Sequence, residues 1–86
     1  MDDQLLDKLA LRELIDNWAI LRDAGFWKKF RTVWHDDGRM MATWTQGLAD
    51  EFIEMNKQGW ERGVSILHFL GGFNCEINGD RAVTQT

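Results

Sequence analysis

In this 86-residue chain two side chains that can move a proton lie where an unpartnered polar group is costly: Asp23 and His68. Asp23 comes four residues after Ala19 and eight after Ile15, so its side chain continues the apolar stripe of a long amphipathic stretch. His68 stands inside the most apolar run of the chain, Val64-Ser65-Ile66-Leu67-His68-Phe69-Leu70. A carboxylate and an imidazole that face a core need a hydrogen-bonding partner. If the two meet, the carboxylate fixes the ring tautomer and leaves the other ring nitrogen free to accept a proton. Histidine's ordinary pKa of about 6.5 suits such transfer near neutral pH. The residue types alone equally allow a structural arrangement, with Asp23 paired to Arg22 or Lys28 and His68 hydrogen-bonded or facing solvent.

Around this pair stand residues that can shape a pocket. Trp18, Trp27, Trp34, Trp44 and Trp60 are many indoles for a small core, and each N–H needs a partner. Most read as core. Trp44, on a strand that can face a cavity, and Trp18 are the candidates for lining a substrate pocket, and Arg39 is the candidate for polarising a substrate oxygen. His35-Asp36-Asp37 is not read as a metal cluster, because adjacent residues at a helix end diverge and no second ligand group lies at a diagnostic spacing. No metal and no cofactor are expected.

The elements that must position these residues follow from periodicity. Leu11, Leu14, Ile15, Trp18 and Leu21 recur at three- and four-residue steps and predict a helix over 3–24, capped by Asp2 or Asp3 and ended by Gly25. Phe26, Trp27, Phe30, Val33 and Trp34 predict a second helix over 26–35, followed by an Asp36-Asp37-Gly38 turn. Met40, Ala42 and Trp44 alternate with Arg39, Met41 and Thr43 in a strand over 39–45. A third helix is predicted over 47–60, with Leu48, Phe52, Met55 and Trp60 on its buried edge. A long strand over 64–77 turns at Asn78-Gly79-Asp80 into a return strand from Arg81 to Thr86. The order is α-α-β-α-β-β, an α+β fold. Gly71-Gly72 suggests a bulge or sharp bend in the long strand. Without one, His68, Leu70, Gly72, Asn74 and Glu76 share a face, opposite Phe69, Phe73, Cys75 and Ile77.

Composition narrows the partners. The net charge is −4 and no Lys/Arg block stands out, so nucleic acid is not expected. No apolar run approaches the roughly 20 residues that span a bilayer, and the acidic Asp2-Asp3 start lacks signal-peptide order. The one cysteine, Cys75, forms no internal disulfide. A cytoplasmic protein without a membrane partner is expected. The chain ends on a hairpin whose edge is open to pairing. The expectation is a partial domain, or a homo-oligomer formed through the uncovered sheet.

Leu11-Arg12-Glu13-Leu14-Ile15, then Leu21-Arg22-Asp23-Ala24-Gly25-Phe26-Trp27, then Val33-Trp34-His35-Asp36-Asp37-Gly38 resemble the start of a SnoaL-like domain of the nuclear transport factor 2-like superfamily. His68-Phe69-Leu70-Gly71-Gly72 and Ile77-Asn78-Gly79-Asp80-Arg81-Ala82 resemble its later strand and hairpin. The resemblance covers nearly all of residues 1–86, in order, as one domain. It implies a cone-shaped fold, with N-terminal helices packed on a curved antiparallel sheet around an apolar pocket. The family includes polyketide cyclases, scytalone dehydratase, a hexachlorocyclohexane dehydrochlorinase and the small subunits of ring-hydroxylating dioxygenases. Its dehydratase and dehydrochlorinase members use an Asp–His pair that carries over to Asp23 and His68. The family's domains continue through further long strands that this chain lacks. The function implied is a cofactor-independent lyase, dehydratase or isomerase acting on a small, apolar, cyclic molecule. The alternative is a ligand-binding or assembly module of the same fold without chemistry.

Overall fold

A computed structural model describes residues 3–86. Helix α1 (Leu5–Asp23) leads into the short α2 (Trp27–Arg31), then strands β1 (Arg39–Met41) and β2 (Gln46–Leu48), helix α3 (Ala49–Glu61), and strands β3 (Asn74–Asn78) and β4 (Arg81–Gln85). The architecture is α+β, consistent with the expected fold. The strands form two separate antiparallel hairpins, β1 with β2 and β3 with β4.

The core is aromatic. Phe30 from α2 is fully buried, and Phe52 and Ile53 of α3 pack beside it. Trp18 of α1 meets Phe30 edge-on at 5.6 Å between ring centroids and stacks on Phe52 at 6.3 Å. Trp34 meets Phe30 edge-on at 4.8 Å. Such aromatic pairs contribute about 0.5–1.5 kcal/mol each beyond the area they bury. Arg31 ties the α2–β1 connection to α3: its Nε donates to Asp50 Oδ1 at 2.7 Å, and its amino groups donate to the carbonyls of Trp34, His35 and Asp36.

The end of α1 is fixed with particular care, and it matters for the site. Gly25 takes φ 75°, its N–H donates to the Arg22 carbonyl, and the Phe26 N–H donates to the Leu21 carbonyl. These two bonds are a Schellman motif, which needs a residue tolerant of the left-handed region. They set the direction in which Arg22 and Asp23, the last two helical residues, present their side chains.

Three expectations are corrected. Helix α1 begins at Leu5 behind Gln4, which makes no side-chain capping bond; Asp3 does not cap it, and Asp2 lies outside the described residues. The strand expected over 39–45 stops at Met41. The chain bends at Thr43-Trp44, the Ala42 N–H donates to the Thr45 carbonyl at 2.8 Å, and 46–48 returns as β2. The order is therefore α-α-β-β-α-β-β. The strand expected over 64–77 is regular only over β3, because 64–73 has no strand beside it. Within that stretch Gly71-Gly72 does change facing. His68 and Leu70 are half-buried before it, Phe73, Cys75 and Ile77 after it, so the inward side passes from even to odd positions. Phe73 is held by Arg12, whose guanidinium lies 5.5 Å from the ring centroid and donates to the Gly71 carbonyl at 3.2 Å.

Candidate active site

The structure brings Asp23 and His68 together. Asp23 Oδ1 lies 2.7 Å from His68 Nδ1, and Asp23 Oδ2 accepts the backbone N–H of the same histidine. One carboxylate thus holds both the ring and the main chain of His68. The grip matters because 64–73 lacks ladder hydrogen bonds of its own. The Asp23 side chain is 11 % exposed and the His68 side chain 34 %. Trp18 closes one side of the imidazole, edge-on at 5.3 Å.

The charge state follows from these contacts. Burial pushes the Asp23 carboxyl up, but the His68 backbone N–H, the His68 ring and the Arg22 charge together outweigh it. The group ends below its ordinary value of 3.8. Asp23 is therefore a carboxylate at neutral pH. A carboxylate only accepts, so Nδ1 carries a proton, and in the neutral ring the lone pair is on Nε2. Among the described residues Nε2 makes no hydrogen bond.

A cavity of about 230 Å³ adjoins this pair, walled by Trp18, Trp44, Phe52, Met40, Ile66 and His68, with Arg22 and Asn56 as its polar members. Trp18 and Trp44, both singled out in the sequence, line it together. Trp44 does so from the tip of the β1–β2 hairpin, packed 5.6 Å from Phe52. Arg39 stands exposed at the start of β1 and does not line this cavity. A larger hollow of about 460 Å³ lies between α1 and the β3–β4 hairpin, away from both Asp23 and His68.

The cation in the cavity wall is Arg22, which sequence reasoning treated only as a salt-bridge partner for Asp23. It is 5 % exposed. Its Nε donates to Asn56 Oδ1 at 3.0 Å, and the Asn56 amide in turn donates to the Phe52 carbonyl at 2.8 Å. Its Nη1 lies 3.7 Å from Asp23 Oδ1, close enough for charge attraction and too far for a hydrogen bond. The signal that marks it was present: Arg22 precedes Asp23, and it lies four residues after Trp18, on the stripe that faces the core. Among the described residues no group of three or more metal-binding side chains assembles. His35 Nδ1 and Asp37 Oδ1, 3.3 Å apart, form an exposed surface pair. No described helix is long and apolar enough to cross a membrane.

Comparison with known proteins agrees with this architecture. A protein-family model described as a SnoaL-like domain matches residues 3–86. An uncharacterized protein of Aspergillus terreus is 40% identical over 87 residues, covering 96% of this chain and 32% of its own length. Pea pathogenicity protein 2 of Fusarium vanettenii is 36% identical, covering 98% of this chain and 37% of its own length. An uncharacterized protein of Emericella nidulans is 34% identical with the same coverage. The chain therefore spans about a third of the length of the curated relatives it matches. With the helices, the hairpins and a family match over residues 3–86, the chain belongs to the SnoaL-like domain family and so to the nuclear transport factor 2-like superfamily.

Proposed function

We propose that this domain takes a small, largely apolar, cyclic molecule into the cavity beside His68 and removes a proton from carbon, as a cofactor-independent lyase, dehydratase or isomerase. The observation that carries the reading is the 2.7 Å contact between Asp23 Oδ1 and His68 Nδ1 at the wall of an aromatic cavity. His68 Nε2 takes the proton: a C–H bond breaks and an N–H bond forms. The electron pair left on carbon moves into an adjacent carbonyl to give an enolate, or expels a leaving group from the neighbouring carbon. Asp23 orients the ring and stabilises the imidazolium through its negative charge. Trp18 and Trp44 hold the substrate ring.

The test is proton exchange into deuterated water, followed by NMR on a panel of small cyclic ketones. The native chain is expected to accelerate loss of the α-proton signal, and His68→Ala to abolish that acceleration while keeping the native circular dichroism. Equal exchange with both proteins refutes the role of His68.

A second reading, an assembly module of the same fold, is supported by the exposure of Leu67, Phe69 and Val83, large apolar side chains with little covering them. A second copy of the chain laid over this surface is the partner that reading requires.

A further inference from the structure

Arg22 is an exception to two rules of protein interiors. A guanidinium is seldom buried unless it is fully paired. Here it is 5 % exposed, and Nη1 is shielded from solvent with no hydrogen-bond partner among the described residues. An orphaned donor of this kind is destabilising, and more so when it is charged. The fold nevertheless invests in holding it. Asn56 has its amide fixed by the Phe52 carbonyl and anchors Arg22 Nε, so the guanidinium plane cannot swing out to water. Arg22, Asn56 and His68 line the same aromatic cavity.

The geometry points to Arg22 as the oxyanion donor of this site, and therefore to neutral carbonyl compounds with an acidic C–H as the ligand class. This rests on the reading of His68 as the base. Before reaction, with His68 in the neutral form that a base requires, the cavity holds one positive charge, Arg22, balanced by one negative charge, Asp23. A ligand that is already an anion would put a second negative charge beside Asp23. A neutral ketone or aldehyde leaves the balance untouched. When its C–H proton passes to Nε2, the electron pair of that bond moves onto the carbonyl oxygen. His68 becomes positive and pairs with Asp23, while the enolate oxygen becomes negative and pairs with Arg22. One ion pair at 3.7 Å is thus exchanged for two, with no net charge added to the cavity. A donor that meets its acceptor fully only as charge develops on the oxygen favours the transition state over the ground state.

The test uses a nitrophenol as an enolate-like indicator, whose colour reports its ionisation while bound. In the native chain the bound indicator is expected to ionise at a lower pH than in free solution, by about 1–3 pH units, the effect of a close opposite charge. In Arg22→Gln the shift is expected to vanish or reverse, since an apolar cavity alone disfavours the phenolate, and Arg22→Lys should restore part of it. A merely structural arginine would not move this midpoint. An unshifted or raised midpoint in the native chain, or no binding of the indicator to it, overturns the proposal, and this holds even if Arg22→Gln fails to fold. Equal midpoints in folded Arg22→Gln and native chain overturn it as well. The indicator needs no turnover. A lowered midpoint in a chain that exchanges no α-protons leaves Arg22 standing and removes His68 as base. An unshifted midpoint beside His68-dependent exchange does the reverse.

Discussion

Replacing Asp23 by asparagine preserves the side chain's shape and removes its charge, which makes it the sharpest probe of the pair. The carboxylate accepts two bonds from His68, one from the ring and one from the backbone. An amide offers one oxygen and one NH2 group. If the oxygen stays with the backbone N–H, the NH2 faces Nδ1, and the ring must shift its proton to Nε2 to avoid two opposed donors. The lone pair that would take a substrate proton is then gone. A charge-assisted bond becomes a neutral one, at a cost of about 1 kcal/mol. Arg22, 3.7 Å away and buried, loses its counter-charge, which adds about 1–3 kcal/mol. The sum, about 2–4 kcal/mol, corresponds to a fall of roughly 10–25 °C in Tm for a domain of this size. Thermal unfolding by circular dichroism reads the first consequence, and the 15N shifts of the His68 ring read the second. Asp23→Asn that melts within about 2 °C of the native chain, with Nδ1 still protonated, refutes the account of how this carboxylate acts.

Asp23 is held below its ordinary value of 3.8, so the unfolded chain binds its proton more readily than the folded one. The stability it contributes is present above about pH 4 and is lost as the pH falls through the lower folded value; urea titrations from pH 5 to 2 should show this limb, and Asp23→Asn should lack it. Gly25→Ala places a Cβ at φ 75° and 2.9 Å from Trp60 Cε2, and should cost about 2–4 kcal/mol with a change in tryptophan fluorescence; a neutral effect would mean that the end of α1 is not fixed as described. Phe69, 92 % exposed, tests the assembly reading: Phe69→Lys should convert a concentration-dependent dimer to a monomer in sedimentation velocity, and an unchanged sedimentation pattern would remove that reading.

What was legible in the sequence was what local periodicity controls. Helix α1 and the Gly79 turn emerged near their observed positions, because three- and four-residue spacing and a positive-φ glycine are short-range signals. Asp23 and His68 stood out because polar groups on apolar stripes conflict with their surroundings whatever the fold. Three things were not legible. Residues 64–73 are apolar and rich in strand formers, yet pairing depends on whether a neighbouring strand exists, which no local pattern reports. Arg22 was overlooked because a long cation normally reaches solvent. Its burial comes from α3, through an asparagine 34 residues away. The β1–β2 turn was hidden for a related reason: Thr43-Trp44 carries no glycine or proline to announce it.

The backbone bond from His68 to Asp23 has a kinetic consequence. Among the described residues of 65–73, the His68 amide is the one backbone N–H with an acceptor in the structure. Elsewhere in a sheet that acceptor is a carbonyl of the adjoining strand; here a side chain takes its place. Peeling this segment from α1 therefore breaks the Asp23–His68 pair as well. The closed lifetime of the segment is an upper bound on the lifetime of the assembled pair, and the exchange of a single amide proton with solvent is its clock.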